Sequence, residues 1–326
     1  MKKVPDELVS FLKDYDNYLI VSHREPDGDC IGSSLALSLF LSRHGKQPFL
    51  ISAGPFKRPE ILMYEKLFLP RIPEILPRGK TAVLIVDCSG LDRLGDASQG
   101  LETFPLAVID HHATNNLSDG VGYIDSTSPS TTILVQLLIE AIDGMVMKEE
   151  AAHLMFGLCT DTGFFRHLDA KSSETFECAS RLVAAGANPK QTFAHMNGGK
   201  SWGSRIIISR ILSRMKRFYN GQLIISFETI EDTTEFGMEG RDSDSLYQLI
   251  QSISGTEAIV IVRQEKPDNC TIGFRSLDRI DVSKVAAVFG GGGHRQASGL
   301  SIAGTIDSLI PRFVAAFQDQ FPGITP

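Results

Sequence analysis

Histidine and aspartate residues stand directly after three apolar, β-branched segments in the first half of the sequence. Together they are His23, Asp27, Asp29, Asp87, Asp110, His111 and His112. Taken alone, an Asp after a strand is as often a helix cap or a turn residue, and a lone histidine is more often structural than a ligand. At a shared sheet edge, however, the like charges of these groups would repel one another without a cation between them. The pattern therefore predicts a metal site.

Asp161 extends this set, since it follows a fourth apolar segment and stands in the break Thr160-Asp161-Thr162-Gly163. A turn carboxylate is the alternative interpretation, because Asp and Gly dominate turns. A mixture of imidazoles and carboxylates suits Mn²⁺, Mg²⁺ or iron- and cobalt-type ions better than a structural zinc. Two such ions that share one carboxylate can activate water and hold a phosphoryl group for in-line displacement. These residues are therefore candidates for a two-metal phosphoesterase centre.

A second set of candidates lies near the end of the chain, in the run GGGGHRQASG at 290–299. Successive glycines let backbone N–H groups approach an oxyanion closely, and His294 and the arginine after it could add charge. No Lys-Ser or Lys-Thr pair follows the glycines, so the run is not a P-loop. Arg275, at the end of a predicted strand, is a further candidate for holding phosphate. A flexible loop and a surface arginine are the alternative interpretations.

The elements that must position these residues alternate between strand and helix in the first half of the chain. Strands are predicted over 18–23, 48–52, 81–87 and 105–110, and helices over about 32–45 and 131–142. Continuous apolar strands between helices are typical of a mostly parallel sheet with helices on both faces. Ligands bind beyond the carboxyl ends of such strands, which is where the polar groups stand.

The second half begins with a helical stretch from residue 149 to about 218, interrupted at Asp161, Gly186 and Asn197. Strands then return over 222–229, 258–265 and 271–277, with helices over 242–254 and 282–289 and from 305 onward. The chain is therefore predicted to be an α/β protein in three parts. These are a catalytic metal-binding domain over 1–190, a helical linker over 191–220 and a smaller substrate-binding domain over 221–326.

Composition and charge argue against several classes of protein. The 326 residues, with 42% hydrophobic and 22% charged, suggest two globular domains with sizeable cores. A formal net charge of −7 without a basic stripe argues against binding to long DNA or RNA. The partial exception is the segment 200–217, whose spacing indicates an amphipathic helix with a solvated basic face.

The cysteines and the N-terminus indicate a cytoplasmic protein. The five cysteines are odd in number and no pair has CxxC spacing. They therefore predict neither a disulfide framework nor a cysteine zinc site. Acidic residues interrupt the apolar ones over 1–20, which is typical of a short amphipathic helix and not of a signal peptide. The apolar runs are too short to span a membrane.

Five motifs occur in one order along the chain: HREPDGD, Asp87, Asp110-His111-His112, Asp161 and GGGHRQASG. Together they resemble the DHH phosphoesterases with an attached DHHA1 domain, and within these the bacterial nano-RNase and pAp-phosphatase group. The resemblance covers essentially the whole chain. It implies an N-terminal parallel-sheet DHH domain, a helical linker and a smaller C-terminal α/β DHHA1 domain.

The resemblance also implies roles for individual residues. The metal ligands are His23 and Asp27 for one ion, Asp29, His111 and Asp161 for the other, and Asp87 between them. Asp110 would orient a ligand histidine, and His112 would lie near the scissile phosphate as a donor. The ions implied are two divalent cations, commonly Mn²⁺, with Mg²⁺ or Co²⁺ as alternatives.

In the DHHA1 part, the residues that correspond to the holders of the far phosphate or nucleotide end are Arg275, Gly292, Gly293 and His294. Relatives often have a serine two positions before the arginine, where this chain has Gly273. The hydroxyl of that serine therefore has no counterpart here.

The predicted reaction is two-metal hydrolysis of short oligoribonucleotides, including linear dinucleotides such as pApA, to mononucleotides. Conversion of pAp to AMP is a further expected reaction. The alternatives are an inorganic pyrophosphatase or exopolyphosphatase on the same metals, a single-strand-specific exonuclease and a non-catalytic nucleotide-binding module. Pyrophosphatases of this superfamily carry a Lys/Arg-rich motif in the second domain, where this chain has GGGH. Relatives are often homodimers, while the sequence carries no decisive interface signal.

Overall fold

The structure is a computed structural model that describes residues 2–112, 120–237, 241–277 and 279–326. Contacts divide the chain into two compact units, Met1–Gly199 and Lys200–Pro326. This division lies inside the segment 191–220 that the sequence predicts as a linker. Within the described ranges, no helix combines the length and the apolar character that a membrane crossing requires.

The first unit is built around a five-stranded parallel sheet with the strand order β2-β1-β3-β4-β5. Its strands are β1 (Asn17–Ser22), β2 (Gln47–Ile51), β3 (Thr81–Val86), β4 (Leu106–Asp110) and β5 (Val121–Ile124). Its α-helices are α1 (Asp6–Asp14), α2 (Gly28–Arg43), α3 (Thr131–Asp143), α4 (Lys148–Asp161), α5 (Ser173–Ala184) and α6 (Pro189–Asn197). The predicted parallel sheet is confirmed. Only β5 is not predicted, because this edge strand is short and half-exposed and has no continuous apolar run.

Alternate residues of each strand face opposite sides of this sheet. On one side, Tyr18, Ile20 and Leu84 belong to a core formed with α1 to α5. On the other side, strand residues such as Val21 pack with Leu94, which belongs to a 3₁₀ helix over Leu91–Ser98. Helices thus cover both faces as predicted, but those on the second face are 3₁₀ helices.

Helices α2 and α4 cross closely because glycines stand at the crossing. A Cβ atom on Gly32 would lie 2.6 Å from the backbone oxygen of His153, and one on Gly28 would overlap the side chain of Thr160. Any larger residue would force the helices apart. The close crossing brings the first turn of α2 beside the last turn of α4.

The predicted start of α2 near Gly32 is wrong, since the helix begins at Gly28. Asp27 is its N-cap, and Oδ1 of Asp27 accepts hydrogen bonds of 3.1 Å from the backbone N–H groups of Asp29 and Cys30. Such a cap satisfies N–H groups that have no partner within the helix. The apolar periodicity begins only after this polar first turn, which explains the late predicted start.

The second unit contains a six-stranded mixed sheet with the order β10-β11-β9-β8-β7-β6, in which only the β7–β8 pair is parallel. Its strands are β6 (Lys216–Phe218), β7 (Leu223–Glu228), β8 (Ala258–Lys266), β9 (Asn269–Ser276), β10 (Gly292–His294) and β11 (Ala297–Ala303). Its α-helices are α7 (Trp202–Ser213), α8 (Ile230–Phe236), α9 (Ser243–Gln251), α10 (Val282–Val288) and α11 (Ile306–Ala316). Helices α7 and α9 pack on one face of the sheet and α10 and α11 on the other.

One expectation and one alternative interpretation for this unit need correction. The predicted helical stretch ends at Ser213 instead of Phe218, because Lys216–Phe218 forms β6 against β7. The glycine run at 290–299 is not a flexible loop, since it contains β10 and the start of β11, which pair as an antiparallel hairpin. The hairpin is not evident from the sequence, because strands are predicted from β-branched and aromatic side chains and this run is rich in glycine.

Carboxylates of the same unit pair with the predicted basic face of α7, whose arginines stay partly exposed. Arg205 lies 2.9 Å from Asp242, and Arg210 and Arg214 both pair with Asp232. Burial raises the pKa of Asp232, but hydrogen bonds from the two arginines outweigh burial and lower the pKa to about 2. These arginines therefore neutralise their own unit and do not form a basic stripe for nucleic acid.

Candidate metal centre

Strand register places three of the predicted residues side by side. Ser22 of β1 lies opposite Val86 of β3, and the residues that follow them are His23 and Asp87. The pairing of β3 with β4 places Asp110 next to Asp87 in the same way. The strand order reverses between β1 and β3, and open α/β sheets form a ligand crevice at such a point. The predicted site therefore lies at the topological switch point of the sheet.

Asp87 has a left-handed backbone conformation with a φ of 60°, which is uncommon for a residue other than glycine. Its carboxylate is buried. Oδ2 lies 3.6 Å from Nε2 of His23, and Oδ1 lies 3.6 Å from Nε2 of His111. Oδ1 also accepts a hydrogen bond of 2.9 Å from the hydroxyl of Thr131. Asp87 thus faces histidines that follow two different strands, as a carboxylate shared by two cations would.

Asp29, in the first turn of α2, is held by the N-terminus of α3. Its Oδ2 accepts the backbone N–H of Thr131 at 2.6 Å, and its Oδ1 accepts that of Thr132 at 2.9 Å. These N–H groups have no acceptor within their own helix, and the helix dipole favours a negative charge at this point. The sequence pattern does not predict Thr131 and Thr132 as functional residues. It does predict that a helix begins at residue 131, and the N–H groups at such a helix start are available to bind a carboxylate.

His111 and Asp161 bring the ends of β4 and α4 to the same place. Nε2 of His111 lies 3.5 Å from a carboxylate oxygen of Asp161 and 3.9 Å from Oδ2 of Asp29. Nδ1 of His111 lies 3.2 Å from the carbonyl oxygen of Ser128, so it can donate there and leave Nε2 for a cation. Two ligands of one divalent ion, bound at about 2.1 Å, are separated by roughly 3–4 Å. The observed separations therefore fit a cation.

The charges of this cluster point to the same conclusion. Burial raises the pKa of Asp29 well above its usual range, and the charges of Asp87 and Asp161 raise it further. Burial also raises the pKa of Asp161 to about 6; His111 opposes this rise, while Asp87 and Asp27 add to it. Carboxylates this close together favour a bound proton or a bound cation over adjacent bare charges.

His112 and Asp110 form a pair beside the cluster. Nδ1 of His112 lies 2.7 Å from Oδ1 of Asp110, and the backbone N–H of His112 donates to the same oxygen at 3.1 Å. This hydrogen bond raises the pKa of His112. Burial raises the pKa of Asp110, but the hydrogen bonds from His112 outweigh burial and lower it. The pair therefore favours a protonated His112 next to an ionised Asp110, and the protonated imidazole can donate a proton.

Asp27 stands apart from the other predicted ligands. Among the described residues, the groups whose ligand atoms lie within 4.8 Å of one another are His23, Cys30 and Asp87; Asp87, His111 and His112; and Asp29, His111 and Asp161. Asp27 belongs to none of these groups, but it is close enough to raise the pKa of Asp161. Its role as a ligand stays a prediction. Cys30 is a donor that the sequence did not reveal, since it has no second cysteine at CxxC spacing.

In the second unit, Arg275 and His294 lie on one face of the sheet. Ala297 of β11 lies opposite Arg275 on one side and His294 on the other, and residues opposite one another share a face. The guanidinium of Arg275 lies 4.7 Å from the centre of the Tyr247 ring, and its Nη1 donates to the carbonyl oxygen of Phe274 at 2.9 Å. These contacts hold Arg275 in one position.

Three glycines form the neighbouring row of the same face. Gly292 lies opposite Gly299, and Gly299 lies opposite Gly273. At Gly273 a Cβ atom would overlap the hydroxyl of Tyr247, which explains why no serine stands there, whereas no atom lies within 4 Å of a Cβ at Gly292. Gly293 follows with a φ of 141°, which side chains rarely allow. Bare backbone therefore lies beside Arg275, as expected for a site that approaches a phosphate or a base closely.

Comparison with known families accounts for both units. Residues 17–158 match the DHH family, N-terminal domain, and residues 207–322 match the DHHA1 domain. These matches confirm the predicted resemblance.

Two curated relatives span nearly the whole chain. The chain is 28% identical over 302 residues to the bifunctional oligoribonuclease and PAP phosphatase NrnA of Thermus thermophilus, which covers 92% of this chain and 89% of the relative. It is 24% identical over 309 residues to the protein of the same name from Bacillus subtilis. This match covers 91% of this chain and 92% of the relative. Among solved structures, an exopolyphosphatase-related protein from Bacteroides fragilis matches with a TM-score of 0.79 and 24% identity, over 97% of this chain and 96% of that one. This last likeness shows the fold.

Proposed function

We propose that this chain, which matches the DHH family, N-terminal domain over residues 17–158 and the DHHA1 domain over residues 207–322, is a metal-dependent phosphoesterase for very short oligoribonucleotides. Its products are mononucleotides, and linear dinucleotides such as pApA are its smallest diester substrates. Conversion of pAp to AMP uses the same centre. The substrate class is supported by two relatives of nearly equal length that are named as oligoribonucleases and PAP phosphatases.

The observation that carries this proposal is the position of Asp87. Its carboxylate faces Nε2 of His23 and Nε2 of His111 at the same distance of 3.6 Å. One cation between Asp87 and His23, and a second among Asp29, His111 and Asp161, would share Asp87 as a common ligand. Bound divalent cations, Mn²⁺ foremost, would supply Lewis-acid stabilisation of the phosphoryl group and lower the pKa of a water nucleophile.

The protein's own groups perform the remaining steps. Asp110 favours the protonated form of His112 and fixes its orientation through the hydrogen bond of 2.7 Å. His112 then donates a hydrogen bond to a phosphoryl oxygen, or its proton to the leaving oxygen. The backbone N–H groups that start α3 keep Asp29 in place while the charge of the phosphoryl group changes.

The second unit supplies the preference for short substrates. Arg275 is held over Tyr247, and Gly292, Gly293 and His294 lie on or beside the same face. We assign to these residues the terminal phosphate or the far nucleotide of the substrate. A guanidinium in a fixed position binds phosphate oxygens with geometric specificity. Binding of one terminal phosphate needs only local positive charge, which agrees with a chain of formal net charge −7.

The test is hydrolysis of pApA in Mn²⁺ by Asp87→Ala, with Asp87→Asn as a variant that keeps the volume of the side chain. Both should lose essentially all turnover, and so should the wild-type protein after chelation. Asp92→Asn, on the exposed surface beyond β3, is the matched control and should keep wild-type turnover. Wild-type rates in Asp87→Ala would refute the assignment of the centre. Release of phosphate from pyrophosphate at rates above pApA cleavage would favour the pyrophosphatase alternative.

A further inference from the structure

We infer that Cys30 is a metal ligand, and that it completes with His23 and Asp87 a position that prefers thiophilic ions such as Co²⁺, Fe²⁺ or Zn²⁺ to Mg²⁺. This inference rests on the proposed metal-dependent function and deepens it. Neither the sequence pattern nor the roles of the predicted ligands assign Cys30 to the centre.

The geometry of the three side chains carries the inference. Cys30 lies in the first turn of α2 and is fully buried, and His23 and Asp87 are buried with it. One ligand atom from each of the three lies within 4.8 Å of those of the other two. Nδ1 of His23 lies 2.9 Å from the carbonyl oxygen of Arg24, so Nε2 is the atom that faces Asp87. An imidazole nitrogen, a sulfur and a carboxylate oxygen therefore lie close enough together to hold one cation.

The surroundings of Cys30 differ from those of the other buried cysteines. Its Sγ contacts the carbonyl oxygen of Val86 at 3.6 Å and also lies in one group with ligand atoms of His23 and Asp87. The partners of the other thiols are the Gly90 oxygen for Cys88, the Met155 sulfur for Cys159, the Arg181 guanidinium for Cys178 and the Gly304 oxygen for Cys270. Within the described ranges, Cys30 is the cysteine found in a group of potential metal ligands.

The inferred ligand makes the two metal positions chemically different. The position formed by Asp29, His111 and Asp161 offers oxygen and nitrogen atoms only. The position formed by His23, Cys30 and Asp87 adds a soft sulfur. Thiolates select softer transition metals, whereas carboxylates suit Mg²⁺ and Mn²⁺. Binding is a simple exchange, in which the ion bonds to sulfur and the thiol proton leaves to solvent.

The test is absorption spectroscopy of the metal-free, full-length protein during an anaerobic titration with Co²⁺. A bond between thiolate and Co²⁺ gives intense charge-transfer absorption in the near ultraviolet. The wild type should develop this band until one position per chain is filled. Cys30→Ser should bind Co²⁺ with its weaker visible bands but lose the charge-transfer band. Cys270→Ser, a buried cysteine of the second unit, is the matched control and should keep the band.

Each outcome decides the inference. A wild-type protein that binds Co²⁺ without the band, or a Cys30→Ser protein that keeps it, overturns the inference. If Cys30→Ser does not fold, as judged by circular dichroism, the wild-type titration still decides, and Cys30→Ala provides a second variant. Hydrolysis of pApA without any charge-transfer band would leave the proposed function intact and remove only the role of Cys30. A charge-transfer band without any hydrolysis of pApA would support Cys30 as a ligand and contradict the proposed function.

Discussion

The hydroxyl of Thr131, the first residue of α3, donates a hydrogen bond of 2.9 Å to the carboxylate of Asp87 at the end of β3. The backbone N–H of the same threonine donates to Asp29. One residue thus orients carboxylates from two other elements. The next residue, Thr132, also binds Asp29 through its N–H, but its hydroxyl bonds to Ser130.

This difference allows a matched comparison of two buried threonines. Thr131→Val keeps the shape of the side chain and removes the hydrogen bond to Asp87. Loss of such an orienting partner typically weakens metal affinity or activity about 10- to 100-fold. Thr132→Val should leave both close to the wild-type values. Metal titrations followed by pApA turnover would measure the effect, and equal losses in the two variants would contradict the role given to the Thr131 hydroxyl.

Asp161→Asn should stabilise the metal-free protein while it abolishes metal-dependent turnover. Burial raises the pKa of Asp161 from 3.8 to about 6. The folded protein therefore binds a proton that the unfolded chain releases, so the contribution of Asp161 to stability falls as pH rises from about 4 to about 6. At pH 7 the neutral asparagine should add on the order of 1 kcal/mol to the free energy of unfolding.

Urea unfolding in the presence of a chelator would measure this gain, and the gain should shrink as the pH approaches 4. Asp92→Asn, which removes an exposed carboxylate, should change stability little at either pH. A metal-free Asp161→Asn protein that is less stable than the wild type at pH 7 would contradict the raised pKa of Asp161.

Asp110→Asn should move the alkaline limb of the pH–activity profile to lower pH. The hydrogen bond from Asp110 raises the pKa of His112, and the protonated His112 is the form assigned to catalysis. Activity is therefore lost as pH rises through this pKa, and removal of the carboxylate charge lowers the pKa of His112. Profiles of kcat/KM for pApA would show the shift. An unchanged alkaline limb would mean that another group sets it.

Arg275→Ala should raise KM for substrates with a terminal phosphate by about tenfold to a hundredfold, the usual worth of a hydrogen bond to a charged group. Hydrolysis of ApA, which lacks that phosphate, should change little. Arg312→Ala is the control, because Arg312 also lies over an aromatic ring, at 5.4 Å from the centre of Phe289. Equal losses for pApA and ApA would contradict the assignment of Arg275 to the terminal phosphate.

The positions of His23, Asp87 and Asp110 could be predicted because each follows a continuous apolar strand, and parallel strands end at one edge. The pattern of a buried parallel strand is strong in a single sequence. The meeting of Asp29 with Asp161 was harder to predict, since it depends on the close crossing of α2 and α4 at their glycines. Sequence spacing alone gives no distance between two helices.

Other features could not be predicted, because neighbours distant in sequence determine them. The β10–β11 hairpin pairs through glycine backbone, and Gly273 is required by the hydroxyl of Tyr247. Cys30 becomes a candidate metal ligand only because the fold places it beside His23 and Asp87. The pairing of Arg210 and Arg214 with Asp232 of α8 could not be predicted either, because only the fold brings these residues together.

The central claim is that this protein hydrolyses very short RNA at a metal centre that contains Asp87. The most direct measurement is a length series of 5′-labelled RNAs, from a dinucleotide to a long single strand, with Mn²⁺ and with pAp and pyrophosphate alongside. We expect kcat/KM to be highest for the shortest RNAs, to fall steeply with length, and to vanish in Asp87→Ala. Efficient degradation of the long strand, or pyrophosphate hydrolysis faster than dinucleotide cleavage, would contradict the account.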